Sequence, residues 1–124
     1  MKIIEAINAI DALKPNAFTQ AEKIRWLSVL DGCLYQEIVL PHEGAQAQPF
    51  SGYDEATPPE TELLAQEPFG RELYLKYLEA QIDYYNGETA RYNNSMTMYQ
   101  AAYTVFARWY NRTHPPLSQK RKFW

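Results

Sequence analysis

Few residues of this 124-residue sequence are of the kinds that carry chemistry, and their spacing argues against a catalytic centre. The serines Ser28, Ser51, Ser95 and Ser118 stand outside any glycine-flanked nucleophile elbow. Both histidines, His42 and His114, fall in proline-rich stretches where no rigid element would hold a base. The only cysteine, Cys33, lies close to an apolar helical stripe with no positive field nearby, and is expected to be a buried, inert thiol. A single cysteine also excludes an internal disulfide and a thiolate-rich metal site. Glu79 and Asp83 lie one helical turn apart and could share a metal or a proton. No Glu-x-x-His repeat accompanies them, as a dimetal site in a helical bundle requires, so a solvated face or salt bridges across an interface is the expectation. His42-Glu43 offers an imidazole and a carboxylate without the rest of a coordination sphere. The five glycines are isolated from one another, which removes the clustered backbone amides of a nucleotide site. The residues therefore point to a non-enzyme, with no catalytic, cofactor-binding or metal-binding set.

Composition leads toward contacts between proteins instead. Twelve Lys and Arg against fifteen Asp and Glu give a net charge of -3, a field that does not draw in polyphosphates, so specific nucleic-acid binding is not expected. Ten Tyr, three Trp and five Phe make the aromatic share 15%, and rings of this kind crowd the centres of interfaces as well as cores. The tyrosines from Tyr74 to Tyr110 lack the cationic track of a base-stacking platform, and packing accounts for them better. No apolar run approaches the roughly 20 residues of a bilayer span, and Met1-Lys2-Ile3-Ile4-Glu5 is no signal peptide. A soluble protein made in the cytosol, without a membrane partner, is expected.

The elements that must position these residues are helices. Ile3, Ile7 and Ile10 recur at helical spacing, so residues 3 to 13 form a short helix that Pro15 ends. Thr19 and Glu22 form a capping box, and Ile24, Leu27, Leu30, Leu34 and Ile38 then mark one face of a second helix as far as Pro41, with Arg25, Asp31 and Glu37 turned away from it. Gly32, in the middle of that helix, suggests a close contact or a bend. Residues 41 to 69 hold five prolines and no sustained period. So long a connection is usually functional or disordered, and Phe50, Tyr53, Leu63, Leu64 and Phe69 argue against plain disorder. The expectation is an arm that orders on another subunit, with a short strand or helical turn near residues 59 to 65. From Gly70 an apolar and aromatic stripe runs to Tyr110, and two weak points interrupt it. A break at Asn93-Asn94-Ser95 gives helices over about 70–92 and 95–113 as an antiparallel pair; Asn86-Gly87 is the alternative break. Pro115 and Pro116 end the last helix, and residues 115–124 are expected to be a flexible tail, with Phe123 and Trp124 as further interface candidates. The fold class is all-α: a single domain of about four helices with a long proline-rich loop between the second and third.

Several of these segments taken together resemble small virion proteins of prophages from Gram-positive and gut bacteria. They are Asp11-Ala12-Leu13-Lys14-Pro15-Asn16, the stretch from Lys23 to Gly32, Glu62-Leu63-Leu64 with Pro68-Phe69, the run from Leu73 to Glu88, Arg91 to Met96, and Tyr110-Asn111-Arg112-Thr113-His114. The resemblance implies a head-tail connector or adaptor of a bacteriophage. Such a subunit forms a homo-oligomeric ring between portal and tail, present in the host cytoplasm during assembly and then in the virion. It carries over no catalytic residues. A second reading is a helical peptide-binding or regulatory module that receives an amphipathic segment between the last two helices. A small enzyme centred on Glu79 and Asp83 is a third.

Overall fold

The computed structural model describes residues 1–42 and 49–114, which hold four helices and no β-strand: α1 (Ile3–Leu13), α2 (Gln20–Leu34), α3 (Gly70–Tyr85) and α4 (Thr89–Thr113). The all-α bundle expected from periodicity is the observed fold. The tail from 115 onward, with Phe123 and Trp124, lies outside the described residues.

Helix α2 starts as its sequence dictates. The Thr19 hydroxyl accepts from Glu22 N–H at 3.1 Å and the Glu22 carboxylate accepts from Thr19 N–H at 3.2 Å, which satisfies two donors of the first turn. The helix then widens into a π-helical segment, Tyr35–Val39, in which Leu40 N–H reaches Tyr35 O at 2.7 Å. The widening keeps Ile38 buried on the same side as Leu34 before Pro41 stops the chain. Gly32 is not required by a close contact: a Cβ there would lie 3.8 Å from the Phe50 ring, an ordinary van der Waals distance.

The start of α1 depends on the loop between α2 and α3. Ile3 and Ile4 donate their N–H groups to the carbonyls of Thr61 and Pro59, both at 3.0 Å, and Leu63 N–H returns to Met1 O at 2.9 Å. Loop carbonyls thus take the orphan donors that a side-chain cap would otherwise serve. What the sequence suggested as a strand or helical turn near residues 59–65 is a single antiparallel bridge, Lys2 with Glu62.

Two glycines mark where the chain must turn closely. Gly87 has φ +73° between α3 and α4, in the left-handed region that other residues avoid. The break therefore falls at Asn86-Gly87, not at Asn93-Asn94-Ser95, which lies inside a 25-residue α4. Ser95 does not interrupt the helix because its hydroxyl donates to the buried Asp83 carboxylate at 2.5 Å instead of competing for backbone. Contacts of Asp83 with Ser95, Tyr77 with Tyr99 and Phe69 with Trp109 run in opposite order along α3 and α4, so the pair is antiparallel. Gly70, the first residue of α3, is buried against the loop, and a Cβ there would lie 2.2 Å from Ala65 O. Gly70→Ala is therefore expected to destabilise by about 1–3 kcal/mol, the usual range for overpacking, measured by urea denaturation. An unchanged midpoint would show that the turn from Ala65 to Gly70 yields at no cost.

Candidate interaction surface

The loop residues expected to grip a neighbour are largely occupied at home. Leu63 is 4% exposed and joins the core with Ala65. Phe50 is half-buried against Tyr35 and Tyr53, with ring centroids 6.2 and 5.1 Å away. Tyr53 and Leu64 are half-buried, and Phe69 packs on Trp109 at 5.9 Å. The described part of the loop is thus folded back on its own helices and does not reach outward as an arm.

The cause is a buried carboxylate that the periodicity misplaced. Asp31 was expected on the outer face of α2 but is 0% exposed. It accepts from Tyr53 OH at 2.5 Å, Tyr74 OH at 2.6 Å and Leu64 N–H at 3.0 Å. Tyr74 OH in turn accepts from Ala65 N–H at 2.7 Å. Tyr53 N–H also donates to the Ser28 hydroxyl at 2.9 Å, so the loop is tied to α2 at two successive turns. Burial pushes the Asp31 carboxyl above the usual aspartate value of 3.8, although all three donors pull it down. Burial also raises the Tyr53 and Tyr74 phenols, with the adjacent Asp31 charge adding to it, so both stay neutral donors. Asp31 is spaced four from Leu27 and three from Leu34, at the margin of the stripe, and only its distant donors place it inside.

Asp83 is the second misplaced carboxylate. It is not on a solvated face with Glu79 but fully buried, paired with Lys14 from the end of α1 and with Ser95 of α4. Burial alone would raise its pKa; the bonds from Lys14 and Ser95 and the Lys14 charge outweigh that and hold it below 3.8. Beside it, Lys23 of α2 is buried and reaches Asp11 of α1 at 2.6 Å. These are structural ties between elements and not an acid-base pair.

Open apolar surface lies instead on α4. Met98 and Val105, each 46% exposed, stand two turns apart with Ala101 exposed between them. Together with Ala102 they line a groove of about 250 Å³ that has Phe69, Glu72 and Lys76 on its α3 side. Of the loop candidates, Phe69 thus contributes to this surface. No protein-family model, curated protein or solved structure matches the chain, so its surfaces are read from their own chemistry. A second apolar area surrounds the turn between α3 and α4, where exposed Tyr84 and Tyr85 meet Tyr92 and the stacked Trp26. Cys33, expected to be buried, is exposed and shares a shallow cleft with Glu37, Tyr99 and Tyr103. It falls on the outward side of α2 with exposed Val29 and Glu37, one step around from Leu30 and Leu34. Burial pushes the Tyr77 phenol up to about 12 and also raises Tyr99 and Tyr103, so all three stay neutral, and the Tyr103 hydroxyl donates to the Glu37 carboxylate at 2.7 Å. The two histidines, expected to lack support, meet at the far end of α4.

The two carboxylates impose opposite pH dependences. Asp31 keeps its proton to higher pH folded than unfolded, so its contribution falls as pH rises from 3.8 through its folded value. Asp83 ionises more easily folded, so its contribution is full above 3.8 and is lost as pH falls through its lower folded value. A carboxyl carbon NMR titration should place the Asp31 midpoint above 3.8 and that of Asp83 below it; the reverse order would refute the assignment. Tyr53→Phe, which removes one donor to a buried carboxyl, should cost about 1.5–3 kcal/mol in denaturant unfolding.

Proposed function

We propose that this chain is a non-catalytic virion assembly subunit of a phage or prophage, of the head-tail connector or adaptor type, which acts by packing against copies of itself and against portal or tail proteins. The observation that carries this reading is the outward seam of α4. Met98, Ala101 and Val105 keep the three- and four-residue steps of a helix-packing stripe, on a helix of 25 residues of which only Ser95 and Phe106 are fully buried. Charged Glu72 and Lys76 border the seam, and exposed Arg108 follows Val105 along α4. An apolar centre with a charged rim is the anatomy of a protein interface. Water contact costs such a surface about 25 cal/mol for each Å² of apolar area. The occupant we assign to the seam is a second copy of the chain. A ring is built from two different patches that meet head to tail, and the tyrosine area at the turn between α3 and α4 supplies a second patch. The seam alone is smaller than a standard interface of about 1,200–2,000 Å², which is why more than one patch has to take part.

The groove beside the seam also favours a second reading, a module that receives one amphipathic helix from another protein. Stoichiometry separates the two. Sedimentation velocity over a range of concentrations, with and without a purified portal ring, is expected to show oligomers that Met98→Glu with Val105→Glu returns to monomer while the far-UV dichroism stays unchanged. A wild-type chain that stays a compact monomer in both conditions contradicts the assembly reading, and a one-to-one complex with a short helical peptide replaces it with the second.

A further inference from the structure

His42 and His114 are held by the same device at two helix ends. His42 Nδ1 lies 2.5 Å from Ile38 O, four residues earlier. His114 Nδ1 lies 3.1 Å from Tyr110 O, again four residues earlier, and 2.9 Å from the Thr113 hydroxyl. A carbonyl oxygen only accepts, so Nδ1 carries the hydrogen in both rings. Thr113 agrees with this, because its own hydroxyl is directed at Trp109 O, 2.9 Å away, and leaves its oxygen to accept. In a neutral imidazole with the hydrogen on Nδ1, the lone pair is on Nε2. That is how metal-binding histidines are commonly prepared, with one nitrogen anchored to a backbone carbonyl and the other presented to the ion.

The two rings are also fixed relative to one another by a shared neighbour. Tyr110 stacks on His114 at 3.7 Å with planes 3° apart, and meets His42 at 4.8 Å with planes 81° apart. The imidazole centroids come to lie 6.2 Å apart with planes 79° apart. Two zinc–nitrogen bonds of about 2.0–2.1 Å at a tetrahedral ion would bring imidazole centroids to about 5–6 Å. The observed 6.2 Å is slightly longer than this, so binding would draw the two rings together.

We propose that His42 and His114 are the protein ligands of a site for a borderline divalent transition metal of the zinc, nickel or copper class. Imidazole nitrogen suits these ions, whereas hard magnesium and calcium take oxygen. Among the described residues no set of three His, Cys, Asp and Glu is placed to hold an ion, so the site proposed is a two-imidazole one. The ion would tie the end of α4 to the turn that follows the π-helical segment, a junction now made by ring packing.

The test is thermal unfolding of the intact chain with zinc chloride, with magnesium chloride as control. Zinc at ten times its dissociation constant should raise Tm by roughly 4–7 °C, with EDTA reversing the rise and magnesium giving none. His114→Asn should abolish the zinc effect. Because His42 is buried, a second measurement is made on the wild type in place of its replacement: a long-range proton–nitrogen NMR spectrum, in which zinc should shift the Nε2 resonances of both histidines. No zinc-dependent change in Tm, a rise that persists in His114→Asn, or a shift of one imidazole alone overturns the proposal.

Discussion

A carboxylate withdrawn from water has to be matched by donors, and the donors that Asp31 recruits decide where residues 53 to 74 run. Tyr53 and the Leu64 amide come from the loop, and Tyr74 comes from α3. One side chain on α2 therefore fixes a long irregular segment and the next helix at once. Leaving such a group unmatched costs several kcal/mol, more than most single apolar contacts return. With Leu64 and Ala65 held, Leu63 drops into the core and the preceding carbonyls of Pro59 and Thr61 reach the start of α1. The loop caps the first helix because the second helix carries an aspartate on its inner side.

Asp83 does for the other end of the bundle what Asp31 does for the middle. Lys14 brings the end of α1 to it and Ser95 brings α4, so that α3 is stapled on both sides. The two sites differ in what opposes burial. Neutral hydroxyls and an amide serve Asp31, and desolvation wins; a lysine serves Asp83, and the charge wins. The antiparallel pair of α3 and α4 is locked by this tie near its turn and by aromatic contacts, Tyr77 with Tyr99 and Phe69 with Trp109, along its length.

Once the loop is used for internal packing, the aromatic surplus of the sequence is divided in two. Phe50, Tyr53 and Tyr74 serve the molecule's own stability. Apolar area that could serve another molecule is left on α4 and at the turn before it, around Met98, Val105, Tyr84 and Tyr85. The assembly role we propose rests on a helix face and not on an extended arm, and a helix face offers a preformed surface with little ordering cost on association.

What the sequence determined by itself is local. The steps between Ile3, Ile7 and Ile10 bounded α1 and the Thr19 and Glu22 pair started α2, because caps and propensities act within a few residues, whereas Asn86-Gly87 was only the alternative break until the fold gave Gly87 its positive φ. The tertiary structure alone decided which side of a helix counts as inside and what a long loop is for. Asp31, Asp83 and Cys33 sit at the margins of their stripes, where a rotation of one position separates core from solvent, and only partners distant in the chain settle the side. Ser95 reads as a helix breaker until Asp83 is placed beneath it. His42 and His114 read as unsupported until Tyr110 is seen to join them. The physical reason is common to all: a polar group takes its role from the donor or acceptor it meets, and those meetings are made by folding and not by spacing.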